Sequence, residues 1–329
     1  MEEKKNRKIV CFSEEEYAEQ MQKTVEPMLA RIRQSGKIPV KGGELYYELY
    51  PKEGADTVVI SHGFSESAEK FAEFIYYLYQ AGYQTAIWEH RGHGRSLREG
   101  KDADTVYVED FQDYVEDMHL LMEERFKAFA GDGRLYLFAH SMGGCVGTLY
   151  LETYPGDFRK AVLNAPMLAI EMGPCPLFAA QAICQAEKLL GRNKERLFTH
   201  GEFDPQEPFA VSCTDSEARH FYYLEKRRAN PAFQTSSASY SWAANAIRAG
   251  KRAVKKENAS RIQIPVLLIQ AEKDNQVKPK AQQKFAAAIS QYCRLIPFPG
   301  ARHECYRSSA PLLEKYMDIV LNFYREKEN

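Results

Sequence analysis

The sequence predicts an α/β fold: a mostly parallel sheet with helices on both faces, interrupted by an inserted helical segment. Three observations predict it. Short strand-like runs, some apolar throughout, alternate with stretches whose apolar residues recur at helical spacing. The stretch "LYLFAHSMGGCVGTLYLETYP", residues 135–155, passes from an apolar run to a helical pattern through a few small residues. The alternation stops between about residues 167 and 255, then resumes.

Each element can be justified in turn. Residues 1–12 are charged and read as loose. Ser13 and Glu16 have capping-box spacing, so a helix is expected from there to Arg33, kinked near Pro27. Residues 44–51 ("ELYYELYP") read as a strand and 57–63 ("TVVISHG") as a more buried one. Phe71, Phe74, Ile75 and Leu78 give residues 66–81 a helical stripe, and 83–90 ("YQTAIWEH") is the next strand. A helical stretch over 105–129 ends at Gly131-Asp132-Gly133. The strand 135–139 follows, with a helix from Gly147 to Tyr154. Residues 160–166, 264–271 and 293–299 are three further strands, and a last helix covers 311–325. The segment between 167 and 255 is helical in pattern and rich in Phe, Tyr and Met, as an insertion between two sheet strands would be. The expected organisation is a helical extension (1–35), a first core part (36–166), a helical cap (167–255) and a second core part (256–329).

A chain of 329 residues suffices for one large α/β domain with such an insertion. Its formal net charge of -1 gives no electrostatic reason to expect a nucleic-acid partner. Seven irregularly spaced cysteines speak for a reducing compartment rather than a disulfide framework. There is no CxxC pair, and His90 and His93 form an H-x-x-H only within a Gly/Arg-rich loop, so no metal is expected. The charged N-terminus lacks the apolar core of a secretory signal, and no apolar run nears 18 residues. The expected location is the cytoplasm, with peripheral membrane contact left open.

The chemistry gathers at strand ends. A strand that turns sharply into a helix forces the corner residue into a strained backbone, and small neighbours must permit it. Ala139-His140-Ser141-Met142-Gly143 is the G-x-S-x-G elbow with its first glycine replaced by alanine, which makes Ser141 the candidate nucleophile. A helix-capping serine is the plainer alternative. A serine hydroxyl needs a base with a pKa near 7, and histidine is the natural choice. Of the eight histidines, His303 lies on a loop after the last strand, in "FPGARHECY". His140 sits beside Ser141, where adjacent side chains should point apart; it reads as a packed neighbour. A carboxylate must hold the imidazole, and Asp274 follows the strand "PVLLIQA", with Glu272 as competitor. Backbone N–H groups of Met142 and, by position, Phe64 are expected to receive the oxyanion.

These residues together resemble the serine α/β-hydrolases, more narrowly the bacterial lysophospholipase and monoacylglycerol lipase group. The matching pieces are "SHGFSES" (61–67), "EHRGHGRS" (89–96), "AHSMGG" (139–144), "NAPM" (164–167), "EKDNQV" (272–277) and "GARHE" (300–304). Within the insertion, "TDSEARHF" (214–221) and "ASYSWAANAIRA" (238–249) look like the cap of the inner-membrane-associated bacterial lysophospholipases. The resemblance implies an α/β-hydrolase fold with a cap, and hydrolysis of a small-molecule ester bearing one acyl chain, through an acyl-enzyme on Ser141 and without a cofactor. Met167, Phe178, Phe221, Tyr240 and Trp242 are candidates for the apolar wall of its pocket, or for ordinary core packing. Residues 176–190 read equally as an amphipathic lid helix touching lipid or as a helix packed on the core.

Two rival readings stay open. On the same scaffold, an aminopeptidase or short-chain carboxylesterase would use the same three groups. An aminopeptidase should offer acids to the substrate amine, and Glu171, Glu187, Glu202 and Asp204 are placed in the cap to do so. A ligand-binding protein with an idle hydrolase core is the reading from another class. A dehalogenase would need an aspartate where Ser141 stands.

Overall fold

The structure, a computed structural model, describes residues 8–173 and 175–327. Its strands are β1 (Gln34–Val40), β2 (Gly43–Tyr50), β3 (Thr57–Ser61), β4 (Gln84–Trp88), β5 (Thr105–Val106), β6 (Leu135–His140), β7 (Lys160–Asn164), β8 (Ser237–Ala238), β9 (Val266–Ala271) and β10 (Cys293–Phe298). Eight of them form one sheet in the order β1-β2-β4-β3-β6-β7-β9-β10, while β5 and β8 make a separate two-residue ladder. The run from β4 to β10 is parallel; β1 and β2 join antiparallel at one edge.

The helices are α1 (Tyr17–Gln20), α2 (Glu26–Ile32), α3 (Ala72–Gln80), α4 (Gln112–Leu121), α5 (Lys127–Ala130), α6 (Ser141–Thr153), α7 (Leu177–Leu189), α8 (Glu217–Ala229), α9 (Tyr240–Ala253), α10 (Lys256–Ala259), α11 (Pro279–Ala288) and α12 (Ala310–Arg325). Successive strand residues point to opposite faces, so each central strand feeds two cores. Val59, Leu137, Ala139, Val266 and Leu268 join the core under α4, α6, α9 and α11. Val58, Ile60, Tyr136, Phe138, Leu267 and Ile269 join the other, under α2, α3 and α12. Burial on both faces explains why these strands are apolar throughout, and each such side chain contributes about 1.5–3 kcal/mol.

Several elements differ from expectation. β1 was not foreseen: its Gly36 and Pro39 disfavour a strand, and it is tolerated because it lies at the sheet edge. The predicted helix over 105–129 begins only at Gln112, because Thr105 and Val106 pair with Ser237 and Ala238. The helix after the elbow begins at Ser141 itself, so Met142, Gly143 and Gly144 are its first turn rather than a linker.

Residues 1–7 lie outside the described residues, but the remainder of the stretch read as loose is packed. Ile9 and Cys11 are buried, and the Phe12 N–H donates to the Tyr77 hydroxyl at 2.9 Å. The capping box forms: Ser13 Oγ bonds Glu16 Oε2 at 2.9 Å and accepts the Glu16 N–H at 3.3 Å. The disturbance expected at Pro27 takes the form of a π turn, Met21–Val25, between α1 and α2. This N-terminal segment is fastened to α8 by Arg219. That buried guanidinium makes two hydrogen bonds to Glu73 (2.6 and 2.8 Å) and reaches Glu14 and the Phe12 carbonyl.

Between β7 and β9 the chain leaves the large sheet and forms α7, α8 and α9, with α7 lying against α9. Among the described residues, no helix is long and apolar enough to cross a membrane.

Candidate active site

Three loops meet at the carboxyl edge of the parallel strands. Ser141 directly follows β6, Asp274 lies three residues past β9, and His303 lies beyond β10. The Ser141 φ of +51° is the left-handed corner that the elbow requires, a conformation costing about 1–3 kcal/mol for a non-glycine residue. The neighbouring small residues permit it. A Cβ at Gly143 would stand 2.2 Å from the Ser61 carbonyl and 2.4 Å from that of His62. Alanine replaces the motif's first glycine at position 139, and it faces Gly147, where an added Cβ would stand 3.0 Å from the Ala139 Cβ. The space lost at one position is recovered nearly two turns into α6.

His303 Nε2 lies 2.8 Å from Ser141 Oγ, and His303 Nδ1 lies 2.7 Å from Asp274 Oδ2. A carboxylate only accepts, so Nδ1 carries the proton and Nε2 is left to accept from the serine hydroxyl. Asp274 Oδ1 also accepts the N–H groups of Gln276 (2.8 Å) and Val277 (3.2 Å). Burial pushes the Asp274 carboxyl up, but the bond to His303, its charge and the two backbone donors outweigh burial and hold it below the usual range. Ser141 and His303 are 7% and 5% exposed. The competitor Glu272 faces elsewhere, accepting the Gly300 N–H at 2.8 Å.

Met142 occupies the first turn of α6, where backbone N–H groups have no intrahelical acceptor. Phe64 lies in the loop after β3, and the next residue, Ser65, has a φ of +57°. The His140 ring is buried against those of His303 and Tyr306, with centroids 4.8 and 5.1 Å away. Its Nδ1 sits beside Asn164, and burial drops its imidazole to about 4. His62, His90 and His93 stack edge to face as buried rings behind the Phe64 loop, with centroids 4.6 and 5.3 Å from His62.

The apolar candidates divide. The Met167 N–H donates to the Ser141 carbonyl at 2.8 Å, and Trp242 packs on the Phe64 ring, centroids 4.4 Å apart. Tyr240 is buried at the start of α9. Phe178 and Phe221 do not join them. Phe178 is 76% exposed on α7, and Phe221 is 40% exposed in a groove shared with Ala18, Gln22 and Glu26 of the N-terminal helix. Two cavities lie near the Phe64–Ser65 loop, one bordered by Ser65 and the other by Trp242, which stacks on Phe64; neither is lined by Ser141, Asp274 or His303. One, about 380 Å³, is mostly apolar and lined by Ile170, Cys184, Leu197, Trp242, Ala243 and Ile247. The other, about 280 Å³, is polar and lined by Ser65, Lys70, Glu207, Arg227, Glu304 and Arg307. The buried carboxylate of Glu66 beneath this loop was missed in the sequence. Its one signal there is the i,i+4 spacing to Lys70, which a solvated helix face would show equally.

Comparison with known proteins places the chain in a family. The family described as "Serine aminopeptidase, S33" matches residues 52–309. Lysophospholipase L2 of Escherichia coli K12 is 31% identical over 282 residues, covering 81% of this chain and 79% of its own. Monoacylglycerol lipase of Mycolicibacterium smegmatis is 26% identical over 76% of this chain and 81% of its own. Among solved structures, a soluble variant of monoglyceride lipase from Saccharomyces cerevisiae superposes with a TM-score of 0.72 at 18% identity. It covers 90% of this chain and 96% of that one. A thermostable carboxyl esterase from Bacillus coagulans gives 0.71 at 16% identity, over 89% and 98%. At such identities these two show the fold alone.

Proposed function

The chain belongs to the serine aminopeptidase S33 family, has the α/β-hydrolase fold and is a hydrolase; on that premise we propose that Ser141, His303 and Asp274 are its catalytic triad and that it cleaves esters of single-acyl-chain lipids. The observation that carries the reading is the hydrogen-bonded chain Asp274–His303–Ser141, at 2.7 and 2.8 Å, on a strained elbow. His303 Nε2 takes the Ser141 proton as Oγ attacks the ester carbonyl carbon. The resulting oxyanion is received by the N–H groups of Met142 and Phe64, each such donor being worth about 10²–10³ in rate. The tetrahedral adduct collapses, His303 protonates the departing alcohol, and the acyl group stays on Ser141. Water then attacks the acyl-enzyme with His303 again as base, and the free fatty acid leaves.

The substrate class rests on the relatives' names and on the two cavities. The acyl chain lies in the apolar cavity behind Trp242, and the polar alcohol part lies in the cavity beside Ser65. Residues 167–255 act as the cap over both. Of the four acids an aminopeptidase would use, Glu187 pairs with Arg192, while Glu202 and Asp204 line the polar cavity and Glu171 lines the apolar one, so the choice between the readings falls to the assay. Turnover of p-nitrophenyl esters of increasing chain length, run beside aminoacyl anilides, tests the reading. Preference for long-chain esters is expected. Faster cleavage of the anilides would overturn the lipid reading and leave the triad standing.

A further inference from the structure

A group of buried charges lies between the Phe64 loop and the His303 loop. Glu66 Oε2 accepts the Gly63 N–H at 2.5 Å, one residue before Phe64. Glu66 Oε1 accepts the Tyr306 hydroxyl at 2.8 Å. Glu304, next to His303, is bound by Arg307 Nη1 at 2.7 Å, and its N–H donates to the Cys213 carbonyl. Lys70 joins the two carboxylates, with Nζ 2.5 Å from Glu304 Oε1 and 3.1 Å from Glu66 Oε1. All four charged side chains are buried, with less than a tenth of each exposed. The two cations and two anions cancel, and His140, 3.6 Å from Glu66, adds no charge near neutral pH. Burial alone would lower the Lys70 ammonium, but the Glu304 and Glu66 carboxylates overcome it and hold it above its usual range.

We propose that Lys70 is a positioning residue for the reaction: its ammonium locks the Phe64 loop, through Glu66, to the His303 loop, through Glu304. This rests on the triad and oxyanion assignments above. The oxyanion donor and the general base must be fixed against each other within about 0.5 Å for the transition state to be held. A carboxylate under each loop and one rigid cation between them supply that constraint, where flexible loops alone would not. No part of Lys70 touches the reacting atoms; it acts through Gly63 and Glu304. Lys70 also lines the polar cavity, so the test uses an ester without a polar head group, for which its contribution is made in the transition state and not in ground-state binding.

The test is Lys70→Met, with Lys70→Arg as the conservative variant, assayed with one p-nitrophenyl ester that the wild type turns over. Lys70→Met should lower kcat by about 10²-fold, the order for losing one oxyanion donor, with KM little changed. Affinity for an acyl trifluoromethyl ketone, which mimics the tetrahedral adduct, should fall by the same factor, and Lys70→Arg should recover most of both. If Lys70→Met fails to fold, the double variant Lys70→Met/Glu304→Gln keeps the buried charge balanced and should show the same losses. A folded variant with kcat and ketone affinity within about twofold of wild type overturns the proposal. A fall in thermal stability alone, with both readouts intact, overturns it equally. An inactive wild type instead sinks the functional reading on which it rests.

Discussion

The carboxylate of Asp274 lies 2.7 Å from His303 Nδ1, while that of Glu272, two residues earlier, turns to the Gly300 N–H on the other side of the loop. Both acids follow β9, and the turn after the strand decides which one reaches the imidazole. Asp274→Asn should keep the fold and lower kcat/KM by about 10⁴-fold, because an amide can hold the wrong tautomer and cannot stabilise the imidazolium. Glu272→Gln should stay within a few-fold of wild type. Steady-state rates on a p-nitrophenyl ester decide it, and the reverse ranking contradicts the assignment.

In the sequence, position after the strand favoured Asp274 over Glu272, and the central strands were legible there too. β3, β6, β7 and β9 are buried on both faces, so their apolar runs announce them. β1 was not legible, since an exposed edge strand with Gly36 and Pro39 has no apolar run to show. The first helical turn after Ser141 was hidden as well: glycines at 143 and 144 read as a loop. They are there because Ser61, His62 and Pro166 leave no room for a Cβ. The pocket was read least well. Aromatic residues such as Phe178, Phe221 and Trp242 look alike in a helical segment, and only packing separates the buried Trp242 from the exposed Phe178.

Helix α6, which begins at Ser141, contains an acid with no hydrogen-bond partner among the described residues. Glu152 on α6 is buried, and neither of its carboxylate oxygens is hydrogen-bonded among the described residues. Burial raises its carboxyl to about 8, against the partial opposition of Arg252 and Arg261. The folded state therefore holds a proton that the unfolded chain has released above about pH 4.5. Stability from this group is complete below that pH and declines as pH rises to about 8, at up to about 1.4 kcal/mol per unit. Glu152→Gln removes the titration. Its melting temperature relative to wild type should climb steadily from pH 5 to pH 8; a difference independent of pH contradicts the assignment.

The segment between β7 and β9 carries an exposed apolar surface. Leu177, Phe178, Leu189, Leu190 and Phe198 are all solvent-exposed on α7 and the chain that follows it, with Lys188 and Arg192 beside them. Ile183 and Phe198 also line the apolar cavity, so this surface meets its mouth. Such a face is suited to resting in a lipid interface, with the basic residues toward the headgroups. Phe178→Ser/Leu189→Ser should reduce co-sedimentation with vesicles of mixed zwitterionic and anionic phospholipid. Its turnover of a soluble short-chain ester should remain that of wild type. Unchanged vesicle binding would rule out this face as the contact.

The central claim is that Ser141 is a nucleophile activated by His303, and covalent labelling tests it most directly. Wild-type protein incubated with a fluorophosphonate should gain one adduct by intact mass, mapped to the peptide containing Ser141. Ser141→Ala should gain none, and His303→Ala should label far more slowly. A wild-type protein that stays unmodified, or an adduct that persists in Ser141→Ala, would contradict the account.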